Sequence, residues 1–415
     1  MIPTNNHQRP QTSSSPITPA ARAMPTLLAL LATLGAIVAT SPTIAAAAST
    51  APTRIVQSDQ PPPTDPPADK QPSPDTAAVE SADKKPRPTE SGDPKPDPAE
   101  TLKKLLKAAE DGDAQAMATL GAMYESGQDV KQDDAEALKW FQKAADKGAP
   151  AAMANLGAFY AAGRAVKEDH KQAVEWFRKA AEKNDTMGMF NLAVAYETGA
   201  GIEQNLEKAI HWYTRAAQGG SAHAMLNLGV LYDSGQGVEQ DHAKARASYG
   251  KAADRELPEA FYSLGTMYAE GRGVERNDSL ASQLYAKGAK LGDVRAMDAL
   301  GVMFAEGRGM PKSDEVAVQW FGQAARRGLP KAMANLGVMH LNGRGVPKDE
   351  KKAVEWFRKA KDAGDVDGMF YLAVMYSQGR EVPRDEEIAI ILLQRAARAG
   401  HERSQKQLHS IDVAW

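Results

Sequence analysis

Apolar positions along the chain follow two alternating helical patterns that recur every 36 residues, from Ala116 to Ala152 to Gly188 and onward. In the first pattern a methionine, a leucine and an aromatic residue are separated by three and four positions, as in Met117, Leu120 and Tyr124. This spacing places the side chains on one face of an α-helix. The leucine is present in all eight copies: Leu120, Leu156, Leu192, Leu228, Leu264, Leu300, Leu336 and Leu372.

The second pattern predicts another helix in each copy, with an alanine and an aromatic residue four positions apart, as in Ala137 and Phe141. A glycine such as Gly127 ends the first helix in every copy, which fits the left-handed residue that commonly follows a helix. Each copy is therefore predicted to be an antiparallel helix pair with a short turn. The second helix is preceded by a residue whose side chain suits the capping of free N–H groups: Asp133, Asp169, Asn205, Asp241, Asn277, Ser313, Asp349 and Asp385.

A small residue follows the recurring leucine in every copy. It is glycine in six copies, such as Gly121, and alanine at Ala193 and Ala373. A glycine inside a helix is less favourable than alanine by about 0.5–1 kcal/mol. Its recurrence therefore predicts a steric requirement, namely the close approach of a neighbouring helix.

A fixed repeat of this length indicates an array of stacked units, because a single helix pair cannot bury its own apolar face. The predicted fold is all-α, a solenoid of eight 36-residue helix–turn–helix repeats over residues 100–409. Two half-repeats, 101–110 and 404–408, are in register with the array and are expected to cap its ends. Residues 410–415 are expected to form a short C-terminal tail.

The N-terminal residues 1–48 have the order of features found in secretory signal peptides. A polar start with two arginines and no acid precedes an apolar run over 24–39 and a small-residue stretch over 44–49. We expect cleavage within 46–48 and a periplasmic or secreted location. The alternative is an uncleaved segment that anchors the chain in the inner membrane, since residues 24–48 come close to the length of a bilayer span.

Residues 49–99 contain thirteen prolines interspersed with charged residues. Such a composition does not bury enough apolar surface to offset the entropy of ordering, which predicts a disordered linker. Proline favours an extended, semi-rigid spacer. We therefore interpret the segment mainly as a tether; the alternatives are a proline-rich ligand and a spacer that reaches into the cell wall.

Composition narrows the possible functions. A net charge of −3 gives no field that would draw the chain to nucleic acid. The absence of cysteine excludes disulfides and thiolate metal sites. The eight histidines have no ligand spacing, so we expect neither a metal site nor a cofactor.

The repeated motif Ala-Met-x-Asn-Leu-Gly-x-x-Tyr, followed by Gly-x-Gly-Val and by Asp-x-x-x-Ala-x-x-Trp-Phe-x-Lys-Ala-Ala, resembles the Sel-one-like repeat (SLR) family over about residues 100–409. These proteins are relatives of tetratricopeptide repeats. The resemblance implies a right-handed α/α superhelix that serves as a non-enzymatic scaffold for protein–protein contacts. Bacterial members are often exported and act in envelope assembly, signalling or host contact. A cysteine-rich branch is associated with penicillin binding, a role that this cysteine-free chain does not inherit.

In a superhelix of this type the first helices line the concave face. The residue after the methionine position varies between copies and is large and apolar in three successive ones, at Phe190, Leu226 and Tyr262. Exposed apolar patches commonly mark interfaces, so we expect a strip that binds a protein or peptide; the alternative is that these side chains fill gaps between helices. The predicted protein-binding residues are Phe190, Val194, Glu197, Leu226, Val230, Asp233, Tyr262 and Phe370.

These patterns predict a monomeric, exported scaffold or adaptor of the bacterial cell envelope. One alternative is an envelope enzyme or cell-wall-binding protein that uses Ser248 and Lys251, because they match the Ser-x-x-Lys motif of penicillin-interacting enzymes. The companion Ser-Asp-Asn and Lys-Thr-Gly motifs are absent, and Ser248 occupies a position that holds tryptophan in other repeats. A second alternative is a passive structural spacer.

Asparagines in the first helices are expected to hydrogen-bond the backbone of a neighbouring repeat, because asparagine inside a helix usually has such a reason. The alternative is that they hold an extended peptide. The set consists of Asn155, Asn191, Asn227 and Asn335.

Overall fold

The computed structural model describes residues 97–415, so the predictions for 1–48 and for most of 49–99 lie outside the described residues. Eighteen α-helices and no strand occur within residues 97–415. They are α1 Pro98–Glu110, α2 Ala114–Ser126, α3 Asp134–Asp146, α4 Pro150–Ala162, α5 His170–Glu182, α6 Thr186–Thr198, α7 Leu206–Gln218, α8 Ala222–Ser234, α9 His242–Ala253, α10 Pro258–Glu270, α11 Asp278–Lys290, α12 Val294–Glu306, α13 Asp314–Arg326, α14 Pro330–Asn342, α15 Glu350–Asp362, α16 Val366–Gln378, α17 Glu386–Arg398 and α18 Glu402–Ser410.

The helices pair as the sequence predicts, and the fold is an α/α solenoid. Repeat 1 consists of α2 and α3, repeat 2 of α4 and α5, and so on to repeat 8, which consists of α16 and α17. The predicted half-repeats correspond to α1 and α18. The described chain forms two compact units, residues 97–320 and 321–415. None of the helices in residues 97–415 has the length and apolarity needed to cross a membrane.

The core of residues 97–320 lies between the two helices of each repeat and between successive repeats. The predicted leucines are buried, from Leu120 with no exposed surface to Leu264 with 8%. The recurring helix glycine has the predicted steric role. A Cβ atom on Gly121 would lie 2.6 Å from the ring of Phe141, and one on Gly157 would lie 2.6 Å from the ring of Phe177. The aromatic ring of the second helix therefore occupies the space that a side chain on the first helix would need.

The unit formed by residues 321–415 repeats this arrangement. Leu336 and Leu372 are buried, and the ring of Phe357 lies where a side chain on Gly337 would be. The C-terminal helix α18 contributes Leu408, which has no exposed surface, to the same core cluster. This half-repeat therefore covers apolar surface, as expected of a cap.

Helix ends are formed as the sequence predicts. The glycine after each first helix has a positive φ, for example 74° at Gly127 and 72° at Gly235. All eight predicted capping residues accept hydrogen bonds from backbone N–H groups of the following helix, as Asp133 does from Ala135 and Glu136. These local contacts explain why the helix boundaries keep the same place in every repeat.

A second residue with positive φ lies two positions later and contacts the preceding repeat. Gly237 has a φ of 71°, and a Cβ atom there would overlap the Cβ atom of Leu206 at the start of α7. Repeats 1, 2 and 8 hold other residues in the same conformation: Asp129, Ala165 and Glu381 have φ values of 61°, 54° and 54°. A non-glycine residue in this region is strained by roughly 1–2 kcal/mol.

Candidate functional site

The predicted binding residues on α6 and α8 share one helical face. We call this surface the first-helix face. Its positions are separated by four and three residues, a spacing that aligns side chains along a helix. The first-helix face consists of Phe190, Val194 and Glu197 on α6, Leu226, Val230 and Asp233 on α8, and Tyr262 on α10.

The two aromatic residues of this face pack against the structure and remain partly exposed. The ring centroid of Phe190 lies 5.7 Å from that of Tyr213 and 6.1 Å from that of His223. The ring of Tyr262 lies 5.9 Å from that of Tyr285, and the Arg295 guanidinium lies 4.6 Å above it. The rings therefore fill gaps between helices and also remain partly accessible, and their role in an interface stays a prediction.

Between these rings the face is aliphatic. Val230 is 41% exposed, whereas Leu226 is partly buried against the core of repeats 4 and 5. Val194 is also partly buried. An exposed valine flanked by partly exposed apolar side chains leaves a hydrophobic surface open to a partner.

Glu197 is held by a buried tyrosine. The Tyr213 hydroxyl donates to Glu197 Oε2 at 2.5 Å and accepts a hydrogen bond from Asn227 Nδ2 at 3.0 Å. Burial raises the pKa of the Glu197 carboxyl above its usual value, and the Tyr213 hydrogen bond opposes that rise. Burial and the neighbouring Glu197 raise the pKa of Tyr213 well above the ordinary tyrosine value, so this hydroxyl keeps its proton. Asn227 therefore has a structural role, as expected, but it bonds a side chain rather than the predicted backbone.

Asp233 belongs to a different network. Its carboxylate pairs with Arg272 Nη1 at 2.5 Å and with His242 Nδ1 at 2.9 Å. Arg272 Nε also lies 2.8 Å from Glu270 Oε2. The Asp233 side chain is only 10% exposed, so this acid joins repeats 4 and 5 instead of flanking an open surface.

Phe370 does not belong to an accessible surface, contrary to the prediction. Its exposed fraction is 6%, and its ring packs against those of Tyr371 and His401, with centroid distances of 5.5 and 5.2 Å. His401 is the residue that caps α18. The C-terminal half-repeat therefore covers the position that is open in repeats 3 to 5.

Tyrosine hydroxyls under the first-helix face are a feature that the sequence reasoning missed. Repeats 3, 4 and 5 hold Tyr213, Tyr249 and Tyr285 where repeats 1 and 2 hold phenylalanine. Tyr285 donates to Thr266 Oγ1 at 3.2 Å, and burial raises the pKa of Tyr249 above its ordinary value. The sequence contained a signal for these hydroxyls, namely the change from phenylalanine to tyrosine in three successive repeats.

The alternative enzymatic pair lies on α9. Ser248 is partly exposed and Lys251 is exposed, three positions apart on the helix. The hydrogen bonds and ion pairs resolved in residues 97–415 do not join them. A depression beside the turn between the two helices of repeat 5 is lined by Arg246, Tyr268 and residues 273–277, and it includes neither residue.

No group of three or more metal-ligating side chains occurs among residues 97–415. His340, which replaces a ring of the first helix in repeat 7, has a buried Nδ1 atom without a hydrogen-bond partner. Burial, together with the nearby Lys352, lowers the pKa of His340. The neutral imidazole therefore substitutes for an aromatic ring.

Comparison with known proteins assigns the repeats to a family. The family model described as the Sel1 repeat matches eight consecutive segments: residues 114–148, 150–185, 186–221, 222–256, 258–293, 294–329, 330–365 and 366–401. The chain belongs to the Sel1 repeat family. This is the SLR family that the sequence motif resembles, so that prediction is confirmed. Sel1 repeat proteins generally mediate protein–protein interactions and are typically non-enzymatic scaffolds.

Two solved structures show the same fold. The first is c5321, a protective antigen present in uropathogenic Escherichia coli strains, with an SLR fold. It is 35% identical to this chain with a TM-score of 0.62, and the alignment covers 75% of this chain and 67% of c5321. The second is a Sel1 repeat protein from Oxalobacter formigenes, 29% identical with a TM-score of 0.56 and aligned over 78% of this chain and 98% of its own. Among curated proteins, none matches the chain.

Proposed function

We propose that this Sel1 repeat protein is an exported scaffold that binds a partner protein through the first-helix face of repeats 3 to 5. The observation that carries the proposal is the combination of Val230, 41% exposed, with partly exposed rings at Phe190 and Tyr262. The positions of repeats 1 and 2 that are equivalent to Phe190 and Tyr262 hold Ala118 and Ala154, which are buried. Large apolar side chains at exposed sites are typical of the anchors of protein interfaces.

The same proposal places the protein in the cell envelope, either periplasmic or secreted. It rests on the signal-like residues 24–48 and on the proline-rich segment that follows them. The Escherichia coli relative is a protective antigen present in uropathogenic strains, which supports the proposal of export for this chain. Residues 24–48 are either retained as a membrane anchor or removed by cleavage, which leaves a free monomer. The size of the mature protein in fractionated cells distinguishes these two outcomes.

The binding surface is tested by crosslinking in intact cells followed by mass spectrometry, with wild type and the double variant Phe190→Ala/Tyr262→Ala. We expect the crosslinked partner to be lost in the double variant while helical circular dichroism is retained. A matched control is Trp176→Ala, which removes a partly exposed ring from the second helix of repeat 2. Unchanged crosslinking in the double variant, or equal loss in the control, would exclude this face.

A further inference from the structure

Three repeats carry an acid at the same place near the end of the first helix: Glu125, Glu197 and Asp233. In two of them an arginine from the next repeat pairs with it. Arg164 Nη1 lies 2.6 Å from Glu125 Oε1, and Arg272 Nη1 lies 2.5 Å from Asp233 Oδ2. Each arginine is 39 residues further along the chain than its acid. The pairing thus joins consecutive repeats at their turns.

Glu197 lacks this arginine. The residue 39 positions later is Gln236, and among residues 97–415 the only side chain that donates to the Glu197 carboxylate is Tyr213. Glu197 also lies in the last turn of α6, where the partial negative charge of the helix end disfavours an acid and favours a cation. Burial disfavours its charge further, as the raised pKa shows. Within residues 97–415, Glu197 is therefore a partly buried carboxylate without a counter-ion.

The surroundings fix this carboxylate in place. Tyr213 has no exposed surface, and its hydroxyl is positioned by Asn227. Repeats 1 and 2 have phenylalanine at the Tyr213 position, so their second helices offer no such donor. A buried donor that orients an acid is typical of a preorganised binding group.

The surface of α6 next to Glu197 has the apolar residues and the acid that a long basic side chain would contact. Phe190 and Val194 lie on the same helical face, two turns and one turn before the carboxylate, respectively. Lysine and arginine have an aliphatic stem that packs on apolar surface and a charged head that pairs with an acid. The Phe190 ring offers a further favourable contact for a cation.

We infer that Glu197 binds a lysine or arginine side chain of the partner protein, at the place where Arg164 and Arg272 bind in the neighbouring repeats. This inference rests on the proposed function, because it names the chemistry of the partner at the first-helix face. The partner's basic group supplies the charge that Gln236 does not. Repeat 3 is thereby adapted to recognition, whereas repeats 1 and 4 use the same acid to join their neighbours.

The test uses a fluorescein-labelled hexa-arginine peptide and fluorescence anisotropy on the full chain at low ionic strength. We expect Glu197→Gln to weaken binding by about tenfold, the loss typical of a charge-assisted hydrogen bond. We expect Gln236→Arg to weaken it to a similar degree, since the new arginine would occupy the site from within the chain. The same variant should raise the melting temperature, because it completes the missing pair.

Matched control variants distinguish binding at Glu197 from a general effect of the protein's net charge on peptide binding. Glu125→Gln removes the same charge from an acid that is already paired, and Gln128→Arg adds the same charge at the equivalent turn position of repeat 1. Both should leave peptide binding within about twofold of wild type, as expected for a charge outside the contact. Equal weakening by Glu125→Gln and Glu197→Gln, or no effect of Glu197→Gln, would overturn the inference.

Failure of this inference is distinguishable from failure of the proposed function. If the cellular partner is lost in Phe190→Ala/Tyr262→Ala but retained by Glu197→Gln and Gln236→Arg, the face binds a partner without a basic contact at Glu197. If the double variant retains its partner, the face itself is not the interface. An unchanged melting temperature in Gln236→Arg would show that position 236 does not reach Glu197, which also overturns the inference.

Discussion

Repeats 1 and 3 have the same helix pair but differ in the use of one acid. Leu120 and Leu192 are buried to the same degree, with at most 1% exposed, so the two interiors are equivalent. At the end of the first helix, Glu125 pairs with Arg164, whereas the part of the chain that the structure describes offers the Glu197 carboxylate a tyrosine hydroxyl and no arginine. The comparison shows that one residue in the turn of the next repeat makes the difference. Where this residue is arginine, the acid stabilises the array; where it is glutamine, the acid remains available for a ligand.

The largest expected effect extends the comparison of interiors from repeat 1 to repeat 4. Leu120→Ala and Leu228→Ala should each lower the free energy of unfolding by about 2–5 kcal/mol, as buried leucines generally do. Urea unfolding followed by circular dichroism measures both. A neutral Leu228→Ala would mean that this leucine is not part of the core and that the repeat register is wrong.

The next effect concerns the contact between a turn and the preceding repeat. Gly237→Ala should destabilise the protein by about 1–3 kcal/mol, the usual penalty of overpacking. The added methyl group would overlap Leu206, and the positive φ of the glycine adds strain. Gly250→Ala is the control, because a Cβ placed on Gly250 would meet no atom within 4 Å apart from its chain neighbours and the backbone of its own helix; it should be neutral or stabilising.

Removal of the repeat-2 arginine that pairs with the acid of repeat 1 leaves that acid without an arginine, as in repeat 3. Arg164→Ala should lower the free energy of unfolding by about 1–2 kcal/mol, because charged hydrogen bonds to two acids are lost. Its partners are Glu125 and Asp134. Thermal unfolding in low and in high salt checks the cause, since the loss should shrink as salt screens the pair. A salt-independent loss would point to packing of the arginine stem instead.

The contribution of an acid to the stability of the protein should change with pH in opposite directions for an acid paired with an arginine and for an unpaired acid. Arg380 is the main cause that lowers the pKa of Glu350 from 4.5 to about 2, so this group stabilises the protein above pH 4.5 and loses that contribution as the pH falls toward 2. Burial raises the pKa of Glu197, so its folded form binds the proton more tightly and its contribution falls as the pH rises above the usual value for glutamate.

Unfolding measured between pH 3 and 8 tests this difference. Glu350→Gln should be less stable than wild type at pH 7 by about 1 kcal/mol, the value of a favourable ion pair near the surface, and the deficit should disappear at low pH. Glu197→Gln should equal or exceed wild type at pH 7 and lose any advantage at pH 4. A deficit of Glu197→Gln that grows with pH would indicate a counter-ion for Glu197.

The smallest effect concerns Ala165, which occupies in repeat 2 the turn position that Gly237 occupies in repeat 4. Ala165 has a φ of 54°, a conformation that glycine adopts without strain. Ala165→Gly should therefore raise the free energy of unfolding by about 0.5–1 kcal/mol, in the direction opposite to Gly237→Ala. Urea midpoints of the two variants, measured together, give the comparison; destabilisation by Ala165→Gly would show that the methyl group makes a useful contact.

The sequence by itself determined the repeat, the helix pairs and their ends. Leu120, Gly127 and Asp133 have roles set by neighbours within one repeat, and periodicity together with capping chemistry is sufficient to assign such roles. The buried leucines, the left-handed glycines and the eight capping residues were all predicted correctly for this reason.

Only the tertiary structure decided which variable residues are accessible and which acids are paired. Phe370 occupies the same repeat position as Phe190, yet His401 and Tyr371 pack against it in the last repeat. Asp233 and Glu197 are equivalent in sequence, yet only Asp233 meets an arginine from the next repeat. The deciding contacts, Phe370 with His401 and Asp233 with Arg272, join residues more than 30 positions apart, and periodicity within one helix carries no information about them.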